Sequence, residues 1–135
     1  MKVFRIPGDL ATLNEYTFAC RSNRFTGASI KKRQEKVIRH AIRYQLLGYK
    51  FKEPVYVWFH WICKNKRKDR DNISFAKKFI FDAMVEEAVI PDDGWDNVLG
   101  YFDSYGIDKD RPCIIVEIYR EDEWPLKEFS DKDSR

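Results

Sequence analysis

The stretch Val55-Tyr-Val-Trp-Phe-His-Trp-Ile-Cys63 is apolar on both alternating faces, with Val55, Val57, Phe59 and Trp61 on one and Tyr56, Trp58 and Ile62 on the other. A strand without a polar face belongs in the centre of a sheet, so this segment is expected to organise the fold. Downstream, residues 72 to 89 are apolar nearly all round through Ile73, Phe75, Phe79, Ile80, Phe81, Ala83 and Met84, which predicts a deeply buried helix. Asp71 stands at its N-cap position and Pro91 marks its far end. Upstream, Ile30, Val37, Ile38, Ala41 and Ile42 fall on one face of a predicted helix over residues 28–47, with Gly48 placed to end it. Lys2 to Ile6 reads as a short opening strand closed by Pro7-Gly8, and residues 9–26 lack a clean period and read as a loop. Val98 to Tyr105 and Cys113 to Tyr119 read as a final strand pair joined by a polar stretch. The order β-α-β-α-β-β describes a single α+β domain with a small mixed sheet and two main helices, spanning residues 1–120. Residues 121–135 hold six acids and three bases around Trp124 and are expected to fray as an acidic tail.

With 135 residues, 44% of them hydrophobic and 16% aromatic, the chain is long enough to bury a core without disulfide or metal staples. Its three cysteines, Cys20, Cys63 and Cys113, are odd in number and lack a C-x-x-C spacing, which argues against a disulfide framework or a zinc knuckle. No apolar run approaches the roughly 18 residues of a membrane span, so a cytoplasmic protein without a membrane partner is expected. The net charge of +3 conceals a lopsided distribution. From Arg21 to Lys52 there are ten Lys or Arg and one acid, Glu35; from Asp82 to Asp110 there are nine acids and one base, Lys109. A basic half beside an acidic segment suits a protein that grips phosphates with one surface and holds a cation with another. Solvated helix faces and acidic loops would give the same pattern.

The chemistry concentrates between Lys64 and Asp93. A basic strand exit with Lys66, Arg67 and Lys68 leads into Asp69-Arg-Asp71-Asn72, and Pro91-Asp92-Asp93-Gly94 follows the predicted helix. Clustered carboxylates repel one another unless a cation holds them, and a hard ion such as Mg2+ selects oxygen ligands of this kind. Capping and turn formation are the structural alternatives for both acidic pairs. An EF-hand loop is excluded, because Ser74 and Ile80 stand where that loop needs Gly and Glu. His40 and His60 are the only histidines and lie far apart, and no Gly-rich phosphate loop or Ser-His-Asp set is present. For nucleic acid, Asn14, Arg21 and Arg24 lie in the predicted loop, and Lys32, Lys36, Arg39 and Arg43 form a stripe opposite the apolar helix face. Such a stripe can track a phosphate backbone.

Asp69-Arg-Asp71-Asn72, then Lys78-Phe-Ile-Phe-Asp82-Ala-Met, then Pro91-Asp92-Asp93, together resemble the RusA family of Holliday junction resolvases, phage-type members in particular. Leu13-Asn14-Glu15-Tyr16, Arg21-Ser-Asn23-Arg24 and Lys31-Lys32 extend the resemblance over roughly residues 3 to 119. It implies a RusA-like fold and a homodimer that binds four-way DNA junctions and nicks them with Mg2+, or Mn2+ in its place, inside a bacterial cell or a phage-infected host. It further implies Asp69, Asp71 and Asp93 as catalytic metal ligands, with Asp92 in support and Lys78 as the catalytic lysine. Three more residues separate Asn72 from that lysine than in the shorter family members. Lys78 keeps the four-residue spacing to Asp82, and a continuous helix would hold Asp71, Lys78 and Asp82 close to one face; Lys77 is the second choice. A noncatalytic DNA-binding protein and a Mg2+ nuclease without junction preference are the alternative functions.

Overall fold

The computed structural model describes residues 1–126. Its elements are β1 (Lys2–Pro7), α1 (Leu13–Ser22), α2 (Arg24–Leu46), β2 (Val55–Cys63), α3 (Arg70–Ser74), α4 (Lys77–Glu86), β3 (Val98–Ile107) and β4 (Cys113–Arg120). The four strands form one mixed sheet in the order β1-β4-β2-β3. β2 is central, as its two-sided apolar pattern requires: it pairs antiparallel with β4 and parallel with β3. The expected β3–β4 pair is therefore corrected, because β2 lies between them.

Side chains alternate across a strand, so one sheet face takes Val55, Val57, Phe59 and Trp61 from β2, Phe4 and Ile6 from β1, and Val116 and Ile118 from β4. α2 covers that face with Ile38, Ala41, Ile42 and Leu46, and α4 with Phe79, Ile80, Ala83 and Met84. Each large apolar side chain among these contributes about 1.5–3 kcal/mol by leaving water. Val37, expected on the buried stripe, is 45% exposed instead. The other sheet face carries Tyr56, Trp58 and His60, with His60 hydrogen-bonded to Glu117 and stacked on Trp58 at 5.2 Å. Trp124 lies on this face, stacked on Tyr56 at 4.8 Å, after a short turn of 3-10 helix over Glu121–Glu123. The tail expected to fray over residues 121–135 is thus packed through Trp124; residues 127–135 lie outside the described residues.

Two further expectations are corrected. Residues 9–26 are mostly helical, because Thr12 caps α1 by accepting the Glu15 N–H at 3.3 Å and Asn23 caps α2 by accepting the Thr26 N–H at 2.8 Å. The predicted helix over 72–89 is two helices, broken where the Ala76, Lys78 and Phe79 amides bond three residues back rather than four. α4 then ends well before Pro91. Ala88 takes a left-handed conformation at φ 56°, and the Val89 amide reaches the Met84 carbonyl at 2.9 Å, closing the helix as a Schellman motif.

Candidate active site

β2 ends at Cys63 and the chain turns through Lys64 to Lys68 into α3. Asp69 is the N-cap residue by backbone geometry, but its side chain makes no capping hydrogen bond. Asp71, expected at the cap, lies in the first turn, where its Oδ1 accepts the Asn72 N–H at 3.0 Å. Both carboxylates are exposed and open onto a cleft of about 480 Å³. Lys66, Lys68 and Arg70 share its wall, and the end of β3 closes it with Tyr105.

Sequence reasoning did not single out Tyr105. Its hydroxyl donates to the Arg70 carbonyl at 3.3 Å, and the Arg70 guanidinium lies 5.5 Å from its ring, which fastens the start of α3 to β3. Burial pushes its phenol above the ordinary value, the Asp103 and Asp71 charges add to the rise, and a Ser74 hydrogen bond and Arg70 oppose it. The phenol therefore stays protonated through the neutral range. The alternation of Tyr101, Asp103 and Tyr105 along β3 was the available signal for a shared face.

Lys68 does more than line the cleft. Its ammonium bonds Glu15 at 2.8 Å and lies 3.9 Å from Asp9, so it ties α1 to the carboxylate segment. Its hydrogen bond to Glu15 raises the Lys68 pKa; Glu15 is lowered, because that bond and charge outweigh the burial that would raise it. Lys66 and Arg67 are exposed beside it.

The two candidate lysines differ in surroundings. Lys77 Nζ is held 2.5 Å from Asp103 Oδ2 and 4.1 Å from the Tyr101 ring centroid, whereas Lys78 is exposed. The helix break removes the continuous face proposed for Asp71, Lys78 and Asp82, and Asp82 lies 3.8 Å from Lys31.

Asp92 and Asp93 are not beside Asp69 and Asp71. They precede β3, whose first residue pairs with Val55, the first residue of β2, while Asp69 and Asp71 follow the last residue of β2. β2 itself, nine residues long, spans roughly 25 Å at ~3.3 Å per residue, and the two pairs adjoin opposite ends of it. Asp92 Oδ2 accepts the Gly94 N–H at 3.2 Å, the turn role considered for it from sequence. Among the described residues, no group of three or more His, Cys, Asp or Glu side chains is placed to hold one metal ion. Among the described residues the four expected carboxylates are not gathered in one group, and Asp69 and Asp71 are the two that line the cleft. That pair still fits Mg2+, which commonly uses one or two carboxylates and fills its octahedron with water and substrate phosphate.

The basic stripe is divided as well. Arg39 and Arg43 place Nε 2.8 and 2.9 Å from Glu87 Oε1, bracing α2 against the end of α4. Lys32 and Lys36 are not engaged in this way, and Asn14 and Arg21 on α1 and Arg24 at the start of α2 are exposed. Among the described residues, no helix is long and apolar enough to cross a membrane. Comparison with models of known protein families finds none that matches this sequence, and comparison with curated proteins finds no match either.

Proposed function

We propose that the chain is a Mg2+-dependent endodeoxyribonuclease that nicks four-way DNA junctions as a homodimer, with Mn2+ able to replace Mg2+. The observation that carries this reading is the pairing of Asp69 and Asp71 on a cleft whose other charged wall residues are the cations Lys66, Lys68 and Arg70. A phosphodiester would suit both halves of that arrangement: the cations would pair with its oxygens, and the carboxylates would hold the divalent ion its hydrolysis needs. Asp69 and Asp71 would hold the Mg2+, which would supply an activated water and neutralise charge on the phosphate. Lys66 and Arg70 orient the backbone, and Lys68, held by Glu15, fixes the cleft's edge. Tyr105 keeps the Arg70 backbone in place. The junction preference and the dimer rest on the resemblance to RusA proteins, and two coordinated nicks need two sites.

The separation of the two carboxylate pairs favours a second reading, a noncatalytic DNA-binding protein in which Asp69, Asp71, Asp92 and Asp93 serve as helix-start and turn residues. One gel decides. A labelled four-way junction, its duplex arms and a single strand are incubated with and without Mg2+, using the wild type and Asp71→Asn. Nicks on the junction that need both Mg2+ and Asp71 support the nuclease. Binding without nicks supports the second reading, and equal cutting of all three substrates removes the junction preference.

A further inference from the structure

α1 and α2 form a hairpin with Asn23 at its corner. The Asn23 N–H donates to the Ala19 carbonyl at 3.3 Å, closing α1, while its side chain caps α2. Gly27 lets the helices approach closely here, since a Cβ at that position would stand 2.5 Å from Cys20 Sγ. The large rings flanking the corner face solvent: Phe18 is 75% exposed and Phe25 71%. Arg21 lies in the last turn of α1, and the Arg24 guanidinium sits 5.0 Å from the Phe25 ring centroid. α1 reaches the corner from the segment that carries Asp69 and Asp71: near its start Lys68 bonds Glu15 and Tyr16 packs on Phe75 at 5.7 Å, and the corner lies about two turns further along the helix.

Bare aromatic rings interleaved with guanidinium groups complement a nucleic acid whose bases are accessible, since rings stack on base faces and cations hold the adjoining phosphates. An anionic membrane is a poorer match, because Asn14 and Glu15 interrupt the exposed side of α1 with polar and negative groups. A second copy is poorer again, because a two-fold contact at this corner would set Arg21 and Arg24 against their own equivalents. We infer that the α1–α2 corner is a wedge for unpaired or readily unstacked bases, with Phe18 and Phe25 stacking at a DNA branch point and Arg21 and Arg24 holding the flanking phosphates. This rests on the DNA reading above and names what tells branched DNA from continuous duplex: the carboxylate cleft meets any phosphodiester alike, but a branch offers open base faces that a continuous duplex does not.

The test compares wild type with Phe18→Ala, Phe25→Ala and the double variant, using Ca2+ in place of Mg2+ to suppress cutting. The probes are a four-way junction carrying a fluorescent base analogue at the branch, a matched duplex, and phosphatidylserine vesicles. Both rings are exposed, so the variants should melt as the wild type does. The expected result is that wild type brightens the analogue, and that the double variant loses the brightening and on the order of tenfold or more in junction affinity. Its duplex affinity should stay within about twofold. Equal loss on duplex and junction, Phe-dependent vesicle binding, or a Phe-dependent change in molar mass would overturn the wedge. If wild type binds the junction and the double variant matches it, the wedge alone fails. If wild type binds no DNA, the DNA reading fails with it.

Discussion

Asp103 joins three elements of the site's support, and its removal has a size that the structure allows to be worked out. Its Oδ1 accepts the indole N–H of Trp61 at 2.8 Å, and Trp61 is 1% exposed. Its Oδ2 takes the Lys77 ammonium at the start of α4, in a pair whose side chains are 16% and 21% exposed. Asp103→Ala leaves the indole N–H buried and unpaired, which costs about 1–3 kcal/mol. It also strips Lys77 of its counter-charge. Breaking a fully buried pair costs about 3–5 kcal/mol and a surface pair about 0–1, so this partly wetted pair falls near 1–2. The sum is about 3 kcal/mol. With a urea dependence of ~2 kcal/mol per molar, the unfolding midpoint should fall by roughly 1.5 M. Asp103→Asn keeps an acceptor for the indole and loses only the charge, so it should cost about half as much. A double-mutant cycle with Lys77→Met should return a coupling above about 0.5 kcal/mol. An Asp103→Ala midpoint within ~0.3 M of wild type, or an Asn variant as damaged as Ala, would refute the reasoning.

Glu87, with 12% side-chain exposure, accepts from both Arg39 and Arg43. Burial would raise its carboxyl pKa, but the Arg43 and Arg39 hydrogen bonds outweigh that and lower it. Its stabilisation is therefore present above its unfolded value and lost as pH falls through the folded one, so Glu87→Gln should lose about 1 kcal/mol in urea melts at neutral pH and show no deficit at strongly acidic pH; a deficit unchanged by acid would contradict this. Lys32→Glu with Lys36→Glu should weaken binding to every DNA and reduce the slope of log affinity on log salt by about 0.9 for each phosphate left without its cation, whereas charge reversal at Arg39 should lower the melting temperature instead. An unchanged slope places the DNA elsewhere. Asp93→Asn should retain junction cleavage within about threefold while Asp69→Asn loses it. A hundredfold loss in Asp93→Asn, restored by mixing with Asp69→Asn, would mean that a second copy completes the site.

The central strand was legible because two-sided apolarity is a local property with one physical meaning: β2 had to be covered on both edges and most of both faces. The same holds for the pairing of Asp69 with Asp71, which needs only neighbouring residues to share a turn. α1 was missed because Ala19 is the one residue it buries fully, so little apolar period marks it, although Thr12-Leu-Asn-Glu15 has the spacing of a capping box. The break between α3 and α4 leaves no mark in an apolar run that is hydrophobic on every side. Strand order was beyond reach, since alternation reveals that β3 and β4 are strands and says nothing of which neighbour each chooses. That choice decides the site. Had β3 run antiparallel to β2, Asp93 would have started it beside Asp69; because it runs parallel, the crossover through α3 and α4 carries the chain back along the sheet and sets the second acidic pair at the opposite end.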